Sequence, residues 1–92
     1  MSASSNSVGQ ATLSVTNGVN EAPFTVIVNR VLALGELFMF TCQAGHSDIS
    51  VQSSYFLIDN DGKPNIKGTA SNAGGASQNL YFNWMIIPTV ID

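Results

Sequence analysis

The most apolar stretch of this chain is residues 80–91, LYFNWMIIPTVI, which contains its one tryptophan. Strand alternation would place Leu80, Phe82, Trp84 and Ile86 on one face and Tyr81, Asn83, Met85 and Ile87 on the other. Pro88 lacks a donor N–H, so we expect strand pairing to end there. Since both faces carry large side chains, we predict that the Trp84 face joins the core and that the Tyr81 face contacts another molecule.

Five earlier segments also have strand character, because they alternate or are rich in β-branched and aromatic residues. They are residues 11–16, 24–29, 37–43, 48–59 and 65–70, the last with the weakest signal. Turn-forming residues separate them, and Asn17-Gly18 is the pair preferred for a two-residue type I′ hairpin. The spacing of strands and turns is typical of an all-β protein.

Residues 31–40 fit two interpretations. Large apolar residues between positions 31 and 38 could line one side of a short helix, but Gly35 interrupts that stripe. We predict a turn at 33–36 followed by the strand at 37–43, with the helix as the alternative.

Residues 48–59 give the longest strand signal. Ile49, Val51, Tyr55 and Leu57 are predicted to share one face, with Phe56 and Ile58 opposite. Because both faces are apolar near the end of this strand, we predict a central position covered on both sides.

These elements predict a single small antiparallel β-sandwich or jelly roll of six to seven strands. The Ser- and Asn-rich residues 1–9 are predicted to form a flexible N-terminal arm, and residues 10–92 the one domain.

Charged residues make up 10% of the chain, against about 25% in a typical soluble domain. The net charge is −3 and Lys and Arg number three, so no basic patch is available for nucleic acid. No apolar run approaches the ~20 residues of a membrane span, and residues 1–10 lack the basic and apolar regions of a signal peptide. We therefore expect no membrane insertion. We expect a protein that stays in the cytoplasm or leaves by lysis or assembly, as a virion or extracellular component would.

No pattern of catalytic or metal-binding residues is complete. His46 is the one histidine, and no nucleophile motif accompanies it. Cys42 lies in an apolar segment and is interpreted as a buried small hydrophobe, with an intermolecular disulfide as the alternative. Asp59-Asn60-Asp61-Gly62 resembles the start of a calcium loop, but Ala70 stands where the bidentate acid belongs. A weak Ca²⁺ site completed by distant oxygens is the lesser alternative. We expect no enzyme activity, cofactor or metal.

Two hypotheses of function follow. The first is a structural subunit of a virion, fibre or other surface assembly, forming homo-oligomers through Tyr81, Asn83, Met85 and Ile87. Low charge favours such self-association, because little repulsion separates copies. The second is a small oligomeric lectin-like or receptor-binding module. Its glycan contacts would be Asn79, Tyr81, Asn83, Asp59 and Asp61.

Overall fold

A computed structural model describes residues 7–89 and contains six β-strands and, over those residues, no helix. The strands are β1 (Ser7–Val15), β2 (Val19–Ile27), β3 (Glu36–Ala44), β4 (Ile49–Ile58), β5 (Pro64–Asn72) and β6 (Gln78–Pro88). The all-β prediction is therefore confirmed. Residues 31–35 are not helical; Gly35 has a φ of 85°, and β3 begins directly after it.

The strands form two three-stranded antiparallel sheets. Sheet A has the order β1-β6-β3 and sheet B the order β2-β5-β4, so the centres are β6 and β5. Of the strands that follow one another along the described chain, only β4 and β5 are neighbours within a sheet. Every other connection passes from one sheet to the other.

The inner faces of the two sheets pack against each other. Sheet A contributes Val15, Phe38, Leu80, Phe82 and Ile86, and sheet B with its flank contributes Phe24, Val28, Ile49, Ile66 and Ala70. The rings of Phe24 and Phe82 join the layers, with centroids 5.5 Å apart. This is a β-sandwich-like fold with an apolar interior. Trp84 packs against this core and is partly buried, as the alternation predicted.

The predicted type I′ hairpin at Asn17-Gly18 is wrong. Among these two residues only Gly18 has a positive φ, 74°, whereas type I′ needs two. The N–H of Gly18 donates to the carbonyl oxygen of Asn72 at 2.9 Å, and β1 and β2 lie in different sheets. The turn therefore carries the chain across the sandwich.

The prediction for β4 is also wrong. β4 is an edge strand, and its pairing with β5 shifts between Val51 and Ser53. This bulge reverses the alternation, so the ring of Phe56 turns inward to Phe38, with centroids 4.9 Å apart, and Tyr55 is exposed. The central strand of sheet B is instead β5, whose small and polar residues gave the weakest signal.

The predicted N-terminal arm overlaps the fold. Residues 7–9 of the proposed 1–9 segment belong to β1, where they pair with β6. The rest of that segment lies outside the described residues.

Candidate functional site

The outer face of sheet A is the candidate site. Side chains of paired residues lie on the same side of a sheet, so the register defines its members. They are Val8, Gln10, Thr12 and Ser14 of β1, Asn79, Tyr81, Asn83, Met85 and Ile87 of β6, and Leu37, Met39, Thr41 and Gln43 of β3. None of these residues is a carboxylate or a cation.

One half of the outer face is apolar. Val8, Met85 and Met39 form a row across the three strands, and Leu37 pairs with Ile87 beside it. Val8 is 74% exposed, Met39 53% and Met85 41%, and they border a shallow groove of about 500 Å³. Contiguous exposed apolar side chains usually mark a contact surface.

The other half is polar and uncharged. Asn83 lies between Gln10 and Thr41, and Tyr81 lies between Thr12 and Gln43. Tyr81 is 45% exposed, and its ring covers Gly45, where a Cβ atom would lie 2.5 Å from Cε2. This half offers amide and hydroxyl groups around one half-exposed aromatic ring.

The structure brings together the four residues predicted for self-association. Tyr81, Asn83, Met85 and Ile87 all lie on the outer face, as their alternation requires. Sequence reasoning missed their neighbours Val8 and Met39. Val8 and Met39 also lie in segments with alternating side chains. However, the local sequence does not show that β1 and β3 are the strands on either side of β6.

The five predicted glycan contacts do not form one site. Asn79, Tyr81 and Asn83 lie along the first half of β6. Asp59 and Asp61 lie in the β4–β5 turn, where Gly62 accepts a hydrogen bond from Leu32 N. Leu32 belongs to the β2–β3 connection, which ends at Gly35, and the carbonyl oxygen of Gly35 accepts a hydrogen bond from Thr89 N, just after β6 ends. The sequence shows that the β6 residues and the two aspartates of the turn have suitable side chains for a sugar. It does not show that the fold places these two groups apart.

The Asp59 carboxylate is occupied within its own turn. Its Oδ1 accepts hydrogen bonds from the N–H groups of Lys63 (3.0 Å) and Asp61 (2.9 Å), and Oδ2 accepts from Asn65 Nδ2 (2.8 Å). The bond from Lys63 N, followed by that from Asn65, lowers the pKa of Asp59. These contacts make Asp59 an organiser of the turn, as is usual for Asp.

Asp59→Asn should therefore reduce the stability of the fold in a pH-dependent way. A carboxyl group whose pKa is lower in the folded chain stabilises it above the unfolded value, ordinarily 3.8, and loses this effect as pH falls through the folded pKa. Urea unfolding should show wild type to be more stable than the variant at pH 7, with the gap closing below pH ~3.8. Asp61 contributes its N–H to this network, so Asp61→Asn is the control. A gap of equal size at pH 7 and in strong acid would contradict this role.

The remaining candidates for chemistry, His46 and Cys42, are not members of the outer face. His46 Nδ1 accepts a hydrogen bond from Asp48 N at 3.1 Å in an exposed turn. Burial raises the pKa of the Cys42 thiol, which keeps it protonated and fits its place beside the core. Over residues 7–89, no three His, Cys, Asp or Glu side chains come close enough together to hold a metal ion.

Comparison with protein-family models, with curated proteins and with solved structures finds no match for this chain. In the described part of the chain, no helix has the length and apolarity needed to cross a membrane.

Proposed function

We propose that this protein is a non-enzymatic structural subunit of a virion, fibre or other surface assembly, and that its copies associate through the outer face of sheet A. The apolar row of Val8, Met85 and Met39 carries the proposal. The backbone beneath this row is fixed by a paired three-stranded sheet, so contact with another copy would not require any main chain to become ordered.

The charge distribution supports association between identical copies. The outer face has no charged residue, so two such faces meet without repulsion. The three cations of the chain have polar partners elsewhere: Arg30 pairs with Glu36, Lys63 Nζ donates to Asn29 and Lys67 Nζ to Thr25.

The pairing pattern also supports a jelly-roll assignment in reduced form. β1 pairs with β6, and β2 with β5, as in one long hairpin folded back on itself. Rolling that hairpin would place β3 beside β6 and β4 beside β5, which is the order of the two sheets. A full jelly roll has about eight strands, so we propose a six-stranded version.

Met85→Arg and Tyr81→Arg should each lower the native mass of the protein. Either change would place a long cation on a face that must lose its water on association, at a cost of several kcal/mol for an unpaired charge. Light scattering on a sizing column would measure the mass, and far-ultraviolet circular dichroism should be unchanged.

Leu57→Arg is the matched control, because Leu57 is 42% exposed but lies on sheet B. It should retain the wild-type mass. Unchanged mass in both sheet A variants would rule out this interface, and a wild-type monomer at every concentration tested would rule out the proposed function.

A lectin-like module is the second candidate, favoured by the polar half of the outer face. An exposed aromatic ring beside amides and hydroxyls suits a sugar, whose apolar side stacks on the ring. A glycan array probed with wild type and Tyr81→Ala would test it. Hits lost in the variant would favour a glycan ligand, and an array without hits would remove this candidate.

A further inference from the structure

We propose that β1 is a second self-association surface, pairing antiparallel with β1 of another copy so that two copies of sheet A form one continuous six-stranded sheet. The inference rests on the proposed function because it takes the partner to be a second copy of this chain. It concerns a different surface, the free edge of the sheet.

A free strand edge presents a row of backbone N–H and C=O groups that a further strand can pair with. β1 pairs with β6 on one side and, among the described residues, with no strand on the other. The nine residues of β1 pair with β6 without interruption, so its backbone is regular along its whole length.

The other three edges carry features that discourage such pairing. β2 has a register shift, Pro23, and Glu21 with a φ of 50°. β4 has the bulge described above. β3 pairs with β6 as regularly as β1 does, and its one such feature is the charge of its first residue, Glu36, whose carboxylate is held by Arg30 Nη1 and Nη2 at 3.1 and 3.0 Å. Bulges, prolines and charges are the usual protections of an edge. Among these four described edges, β1 alone has no charge, proline or register shift.

The side chains of β1 suit pairing with an identical strand. With a two-fold axis at Ala11, all nine residues would be paired, and Gln10 would lie opposite Thr12 of the second copy. Outward residues would meet outward residues, as the pleat requires, and no like charges would be opposed. A two-fold contact of this kind closes on itself, so the outer faces stay free for the second contact.

Gln10→Lys/Thr12→Lys should block the edge pairing. Four lysines would cluster around the two-fold axis, and edge lysines are a natural device against strand addition. We expect the native mass to fall at least twofold, because each edge-paired pair of copies separates. Gln10 and Thr12 also belong to the outer face, so the loss of mass supports the edge contact only together with the cross-links described next. Asn20→Lys/Gln52→Lys places the same charge on the exposed edges of sheet B and should leave the mass unchanged.

Disulfide trapping tests the geometry directly. Opposed residues in antiparallel strands have Cα atoms about 4.5–5.5 Å apart, within the range of a disulfide. In a Cys42→Ala background, Gln10→Cys and Thr12→Cys should give covalent dimers, alone or when mixed, and the combination that reacts reports the position of the axis. Thr69→Cys, on central strand β5, is the control.

The outcomes separate this inference from the proposed function. If Met85→Arg lowers the mass while the β1 lysines do not, and no cross-link exceeds the Thr69→Cys control, the edge contact is wrong and the face contact stands. Cross-linked dimers together with a loss of mass in the lysine variant would establish the edge contact.

Discussion

Phe82→Ala should lower the free energy of unfolding by roughly 3–5 kcal/mol, the usual effect of truncating a buried phenylalanine. Phe82 is 1% exposed on the central strand of sheet A, and its ring meets Phe24 of sheet B. Removing it would leave a cavity where the two sheets touch. Urea denaturation at neutral pH would measure the change.

Tyr81→Ala is the matched control, since Tyr81 directly precedes Phe82 in the same strand and its side chain lies on the outer face. At a protein concentration where copies are dissociated, it should cost less than about 1 kcal/mol, because surface substitutions usually change stability little. Equal losses at the two positions would contradict the assignment of inner and outer faces.

Gly68→Ala should be nearly as damaging, although it adds a single methyl group. A Cβ atom at Gly68 would lie 2.0 Å from the carbonyl oxygen of Ser53 and 2.7 Å from Cζ of Phe24. The oxygen belongs to the backbone of β4, so β4 must move away from β5 for the methyl group to fit. We expect a loss of roughly 3 kcal/mol, the upper part of the range for overpacking. Thermal and urea unfolding would both report it.

Gly75→Ala serves as the control, because a Cβ atom at Gly75 would meet nothing within 4 Å. Its stability should match that of wild type or rise slightly, since alanine restricts the unfolded chain. A Gly68→Ala protein as stable as this control would show that β4 and β5 are not held in close contact at this point.

The sequence predicted the fold class and the faces of β6 because both depend on local alternation. The large side chains at 80–87 repeat with period two, and the structure places Leu80, Phe82 and Ile86 in the core. Local alternation failed at β4, where one bulge moves Tyr55 and Phe56 to the faces opposite those predicted. A bulge of this kind leaves no sign in the amino acid types around it.

The buried, central position of β5 could not be predicted for a different reason. Its residues include Asn65, Gly68 and Asn72, which have low β-propensity. Asn72 is fully buried, but its amide nitrogen donates to Val15 O and Ala76 O, and its Oδ1 accepts from Gly74 N. Those partners are distant in sequence or lie in a loop, so composition alone made the segment look exposed.

The sequence predicted which residues of β6 lie on the outer face, but not which residues of the flanking strands lie beside them. The order β1-β6-β3 brings Val8 and Met39 to either side of Met85, from positions 77 and 46 residues earlier in the chain. Such pairings depend on how the whole chain closes, which a local pattern does not encode.

The order of sheet A has a consequence during synthesis. β3 ends at Ala44 and its partner β6 begins at Gln78, so the ribosome needs roughly 2–7 s to make the intervening residues. Through that interval the emerging β1 and β3 have no native neighbour, and β1 has no charge, proline or bulge to repel a strand from an adjacent nascent chain. On a polysome, the edge that we propose for mature assembly would also be the first surface through which neighbouring copies could pair before either had folded.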